Sequence, residues 1–128
     1  MLKKAECCCG KTTIELEGDF AINAVCHCDN CKKRTGSAFG HSVYFAKEQA
    51  VSIPETTNIY HVAAKTGDQQ RYFCVYCGTT LYWEAGMFPD MFGVAGGCFI
   101  EDLPEPTISV SNENCLDWVE IPQSWDLF

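Results

Sequence analysis

The sequence predicts a mainly β protein, built from several small antiparallel sheets and held together by metal bound to cysteine. Three observations predict it. Ten of the 128 residues are cysteine, grouped as Cys7, Cys8 and Cys9, then Cys26, Cys28 and Cys31, then Cys74 and Cys77, with Cys98 and Cys115 apart. Short β-branched or aromatic runs recur between Gly, Pro and Asp punctuation. No long apolar stripe of helical period is present.

Taken in order, Thr13 to Glu17 alternates apolar and polar residues, as do parts of Ala21 to Val25, and both read as half-buried strands. Ser42 to Phe45, Val51 to Ile53 and Ile59 to Val62 are β-branched or aromatic runs. Arg71 to Cys74, Thr79 to Glu84, Met91 to Ala95 and Thr107 to Val110 follow as further strands. Gly18-Asp19, Gly36-Ser37, Gly67-Asp68, Pro89-Asp90 and Pro104-Glu105-Pro106 are the expected turns. Helical turns are expected after Cys28 and near Lys47-Glu48-Gln49. Sheets this short bury little apolar area, so the fold is expected to need its metal.

The length suits a single domain spanning 1–128. With 47% hydrophobic and 20% charged residues and a mean hydropathy of -0.08, the composition is that of an ordinary globular chain rather than a disordered one. The net charge of -8 disfavours nucleic acid and anionic membranes as partners, since both are met by clustered Lys and Arg. No apolar run is long enough to span a bilayer, and Met1 to Glu6 runs into cysteines without an apolar signal region, so a cytoplasmic protein is expected. Thiols stay reduced there, and cysteines one or two residues apart rarely pair with each other, which argues for metal rather than disulfides.

Cys74-Val75-Tyr76-Cys77-Gly78 is a knuckle in which the glycine permits the turn that brings both thiolates to one side. Cys7 and Cys9, at i and i+2, share one face of an extended segment and offer the other half of a four-thiolate site. Such a closed site is structural. Cys26-His27-Cys28-Asp29-Asn30-Cys31 differs, because three cysteines with a vacant fourth position are the pattern of a reactive zinc. His27, Cys98 or Cys115 could instead close that position. Lys32, Lys33 and Arg34 follow directly and could hold the carboxylates of a ligand, or form a solvated turn. His41 and Tyr44 are candidate proton carriers, whereas His61 reads as an ordinary strand residue.

Three segments in order, Cys7-Cys8-Cys9-Gly10, then Cys26-His27-Cys28-Asp29-Asn30-Cys31-Lys32-Lys33-Arg34-Thr35-Gly36-Ser37-Ala38-Phe39, then Arg71-Tyr72-Phe73-Cys74-Val75-Tyr76-Cys77-Gly78-Thr79-Thr80-Leu81, resemble the glutathione-dependent formaldehyde-activating enzyme family. That family also includes centromere protein V. The likeness runs from Cys7 to about Trp118, with Cys8 standing where the family often has His. The resemblance implies a β-tent type of fold with two zinc ions per chain. One is structural, on Cys7, Cys9, Cys74 and Cys77, and one is labile, on Cys26, Cys28 and Cys31. It also implies carbon-sulfur lyase chemistry in which glutathione, as co-substrate, adds to formaldehyde to give S-hydroxymethylglutathione. The ligand expected on this reading is a small thiol or aldehyde adduct.

Two other functions compete. A noncatalytic zinc module that binds a protein partner would use outward aromatics such as Trp83, Phe88 and Trp125. A thiol redox protein would use Cys98 or Cys115 as nucleophile, although neither sits in a C-x-x-C pair.

Overall fold

Short runs between turn residues give short strands, and the computed structural model, which describes residues 1–63 and 67–128, contains eleven of them among those residues. They are β1 (Leu2–Glu6), β2 (Thr13–Glu17), β3 (Ile22–Cys26), β4 (Gly40–Ala46), β5 (Ala50–Ser52), β6 (Thr57–Val62), β7 (Gln69–Cys74), β8 (Thr80–Ala85), β9 (Phe88–Ala95), β10 (Ile108–Val110) and β11 (Asp126–Leu127). Among the described residues one α-helix, α1 (Asp29–Thr35), follows Cys28 and a 3-10 turn covers Lys47–Gln49, both as expected, while two further 3-10 turns, Gly96–Cys98 and Asn112–Asn114, lie outside that expectation. No helix among the described residues is long and apolar enough to cross a membrane.

The strands form a three-stranded sheet, β1-β2-β5, and an eight-stranded sheet, β11-β10-β3-β4-β9-β8-β7-β6. Pairing is antiparallel except where β10 runs parallel to both β3 and β11. The chain reaches β10 by a long connection from β9, and a connection of that length can bring a strand back in the same direction. The mainly β class therefore holds, with a parallel edge added to it. Pro89-Asp90 is not a turn: it lies inside β9, and the reversal falls at Gly86-Met87, with Ala85 opposite Phe88. Proline is tolerated near the first residue of a strand, where its missing N–H breaks no ladder bond.

Ile14 and Leu16 of β2 are fully buried against Val43, Phe45 and Val94 of the large sheet, so the main core lies between the two sheets. Strand periodicity then sends the alternate residues of β4 to the other face. Across that face one register row runs through Tyr44, Gly93, Trp83, Arg71 and Tyr60, from β4 to β6. The Trp83 indole lies flat over Gly93, where any Cβ would overlap it. Gly93→Ala should therefore destabilise the protein by about 1–3 kcal/mol, the usual cost of overpacking. A thermal melt of the metal-loaded protein reads this, and an unchanged midpoint would show that the indole can move aside.

Candidate metal centres and the adjoining cleft

Two hairpin tips meet at the first centre. The β1-β2 tip carries Cys7 and Cys9, and the β7-β8 tip carries Cys74 and Cys77. The tips are built alike: the Cys7 amide donates to the Thr12 carbonyl at 2.9 Å, and the Cys74 amide donates to the Thr79 carbonyl at 2.9 Å. Gly10 and Gly78 take φ of 79° and 81°, in the left-handed region glycine enters without strain. The four sulfurs all lie within 4.8 Å of one another. Cys7 and Cys9 Sγ are 3.6 Å apart, and Cys9 and Cys74 Sγ are 3.8 Å apart. A tetrahedron of zinc–sulfur bonds about 2.3 Å long has edges of about 3.8 Å, so this sulfur set matches a closed zinc site.

The surroundings also suit thiolates. The Thr12 amide donates to Cys7 Sγ at 3.3 Å and the Tyr76 amide to Cys74 Sγ at 3.4 Å. The Thr79 hydroxyl accepts from the Cys8 amide at 3.1 Å, which leaves its hydrogen for Cys77 Sγ at 3.2 Å. That hydroxyl, and then the Thr79 amide, push the Cys77 thiol down to about 5. Thr79 is thus a supporting residue that cysteine spacing alone did not single out.

The second centre sits where β3 ends and α1 begins. Cys26, Cys28 and Cys31 have their sulfurs within 4.8 Å of one another. Cys28 is the N-cap of α1, and its Sγ accepts the Cys31 amide at 3.4 Å. Hydrogen bonds from Cys26 and then Cys31 push the Cys28 thiol down to about 2, and the same contacts hold Cys31 well above its ordinary value. Three sulfurs clustered together, with that of Cys28 favoured as a thiolate, form a donor set suited to a cation.

None of the three alternatives for a fourth ligand joins this cluster. His27 is fully buried and points away. Asn112 donates from Nδ2 to the Ser109 and Phe128 carbonyls, so its Oδ1 accepts the Ser109 hydroxyl at 2.6 Å. That hydroxyl must then accept from His27 Nε2 at 3.0 Å, which places the proton on Nε2 and ties the cysteine loop to the C-terminal segment. Burial, and after it the charge of Lys32, lower the His27 pKa.

The expected proton carriers lie on opposite faces. His41 is turned to the core side, where its Nε2 meets Asn23 Oδ1 at 2.6 Å and its ring covers Gly96. Tyr44 stays on the face of the second centre, and its hydroxyl accepts from Trp83 Nε1 at 3.2 Å. His61 is an exposed residue of β6.

The basic run also divides. Lys32 turns away, donating from Nζ to the Asn114 carbonyl at 2.8 Å and facing Asp29 at 3.7 Å. Lys33 and Arg34 line a cleft of about 420 Å³ between α1 and the sheet, with Tyr60, Val62, Arg71 and Phe73 opposite. The Arg34 guanidinium stacks over Trp83, 4.3 Å from the ring centroid. Arg71 also lines the cleft, although the sequence analysis placed it only in a strand and in the third resembling segment and gave it no role. The signal available was that the chain has only two arginines; the structure brings both to this cleft.

Trp83, expected as an outward aromatic for partner binding, is only 2% exposed, because its β8 position faces α1 across the sheet. Phe88 and Trp125 are half-buried. Burial pushes the Cys98 thiol up, the reverse of what an activated nucleophile needs.

With this geometry in view, comparison with known proteins is decisive. The sequence profile of the glutathione-dependent formaldehyde-activating enzyme family matches residues 2–113. The chain belongs to this family. A Halomonas elongata protein that carries the family's name is 26% identical over 94% of this chain and 82% of its own length. An Aspergillus flavus protein of the same name is 32% identical over 59% of this chain, a segment that spans 40% of the fungal protein. A crystal structure of a Rhodobacter sphaeroides protein superposes with a TM-score of 0.61 at 24% identity, covering 79% of this chain and 91% of the other, which shows a shared fold.

Proposed function

We propose that this family member is a zinc-dependent enzyme of carbon-sulfur bond chemistry acting on a thiol adduct. The reaction would resemble the addition of glutathione to formaldehyde. The observation that carries the reading is the three-cysteine cluster, which has no fourth protein ligand among the described residues and is set at the head of a helix whose next residues line a cationic cleft. Cys26, Cys28 and Cys31 would hold the reactive zinc, and Cys7, Cys9, Cys74 and Cys77 the structural one. Bound zinc would supply an open coordination position at which a substrate thiol loses its proton.

The chain's own residues do the rest. Lys33 and Arg34 draw in and orient the carboxylates of the thiol, as charge-assisted donors of fixed position. Trp83 holds the Arg34 guanidinium by a cation–π contact and excludes water from one side of it. In the addition the thiol sulfur bonds to the aldehyde carbon, the carbonyl electron pair moves to oxygen, and the thiol proton ends on that oxygen. Nothing is oxidised or reduced. Lys32 serves to fasten α1 to the C-terminal segment instead of meeting substrate.

Native mass spectrometry of protein purified without chelator should find up to two zinc ions per chain, one lost much more readily than the other, because four thiolates outcompete three. A metal-free protein with disulfides would overturn the reading. Calorimetry on the zinc-loaded chain should detect glutathione, and Lys33→Ala should weaken that binding by about 1–3 kcal/mol, mainly in affinity and not in turnover. No heat from the wild type under reducing conditions, with and without formaldehyde, would remove glutathione as the carrier.

A further inference from the structure

The cleft is cationic and, among the described residues, is lined by no carboxylate that could balance a positive group on its ligand. Lys33, Arg34 and Arg71 line it together, in a chain whose net charge is -8. Among the described residues, neither arginine takes part in an ion pair; the four pairs present involve Met1, Lys3, Lys32 and Lys47. One terminal nitrogen of Arg34 is buried without a hydrogen-bond partner. Arg71 is only 7% exposed and uses its Nε on Gln69 at 3.1 Å. No Asp or Glu lines the cleft, whose other polar or small residues are Asn30, Gly78 and Thr80. Asp29, the acid nearest in sequence, faces Lys32.

Bringing two guanidinium groups and an ammonium to one cleft is unfavourable in itself and favours an anionic ligand between them. The same field repels a ligand ammonium, since no carboxylate is at hand to receive it. Val62 and Phe73 add an apolar wall, with Tyr60 paired across the strands to Arg71. Glutathione carries two carboxylates but also a free ammonium, so it answers only part of this chemistry.

From the charge of the cleft we infer that its thiol substrate carries two or more carboxylates and no free ammonium, which makes N-acylated or amine-free thiol acids better ligands than glutathione. The inference rests on the thiol-adduct reading above and sharpens its substrate class. Selection arises from unpaired like charge, a repulsive element built into the site, as much as from attraction.

The test is calorimetry on the zinc-loaded full chain with glutathione, N-acetylglutathione and S-methyl-N-acetylglutathione, the last having the same charges without a free thiol. N-acetylglutathione should bind about ten-fold more tightly than glutathione, or better. Lys33→Ala, at an exposed helix position, should shrink that preference, as should Arg71→Gln if it folds. Asn30→Asp, which places a carboxylate in the cleft, should move the preference toward glutathione. Equal or tighter binding of glutathione by the wild type, an Asn30→Asp protein with the same preference, or no binding of any of the three overturns the inference. If the S-methyl compound binds as tightly as its free thiol while the Asn30→Asp shift persists, charge selection stands and the thiol-centre reading falls, so the two failures are told apart.

Discussion

Cys77→Ser is expected to unfold the chain at ordinary temperature, or to lower its melting midpoint to that of chelator-treated wild type. The four-sulfur centre joins the tip of the small sheet to the tip of β7-β8, and Cys9 lies 65 residues from Cys74, its neighbour in the cluster. Structural zinc contributes about 10–16 kcal/mol in zinc-finger peptides, as much as the about 5–15 kcal/mol by which a typical domain is stable. Cys77 is the informative position because its side chain is exposed, so serine there removes a ligand without opening a cavity. Cys74 is buried, and a loss at Cys74 would confound packing with ligation. Melting followed by circular dichroism, with and without chelator, checks the outcome; an unchanged midpoint would remove the pair from any structural role.

Cys28→Ser should have the opposite profile, leaving the fold intact and abolishing function. Serine is as good an N-cap as the sulfur it replaces, and it can accept the Cys31 amide, so α1 should persist. The four-sulfur centre is untouched. With two thiolates left at the second centre, its zinc affinity should fall by more than about 100-fold, and thiol binding and turnover should fall below detection. Metal analysis should return one zinc per chain. A protein that keeps two ions, or that loses one yet still binds the thiol, would sink the reactive-centre reading. A partner-binding module would keep its partner through this change.

Much of the strand order was legible from local pattern. Thr13 to Glu17 alternates, its Ile14 and Leu16 are the buried pair, and β2 has those same bounds. β1 was not legible because Lys3 and Lys4 interrupt its alternation, and on an edge strand such charges cost little while blocking unwanted pairing. β11 is two residues long, and its place comes from pairing with β10. Trp83 was misread for a related reason. It stands on a strand between Tyr82 and Glu84, and which face is covered depends on where α1 lands.

The sequence by itself determined three local thiol groups, since C-x-C, C-x-x-C and C-x-C-x-x-C deliver their thiols within one turn, and a following glycine closes the knuckle. Those are short-range facts of backbone reach, and no distant contact is needed to state them. Only the tertiary structure decided that Cys7 and Cys9 meet Cys74 and Cys77, that Lys32 leaves the cleft, and that Arg71 enters it beside Arg34. Those outcomes depend on cross-strand register, on which strand face each residue occupies, and on where a seven-residue helix rests on the sheet. A one-residue slip in β7 would send Arg71 to the opposite face with every ligand spacing in the sequence unchanged.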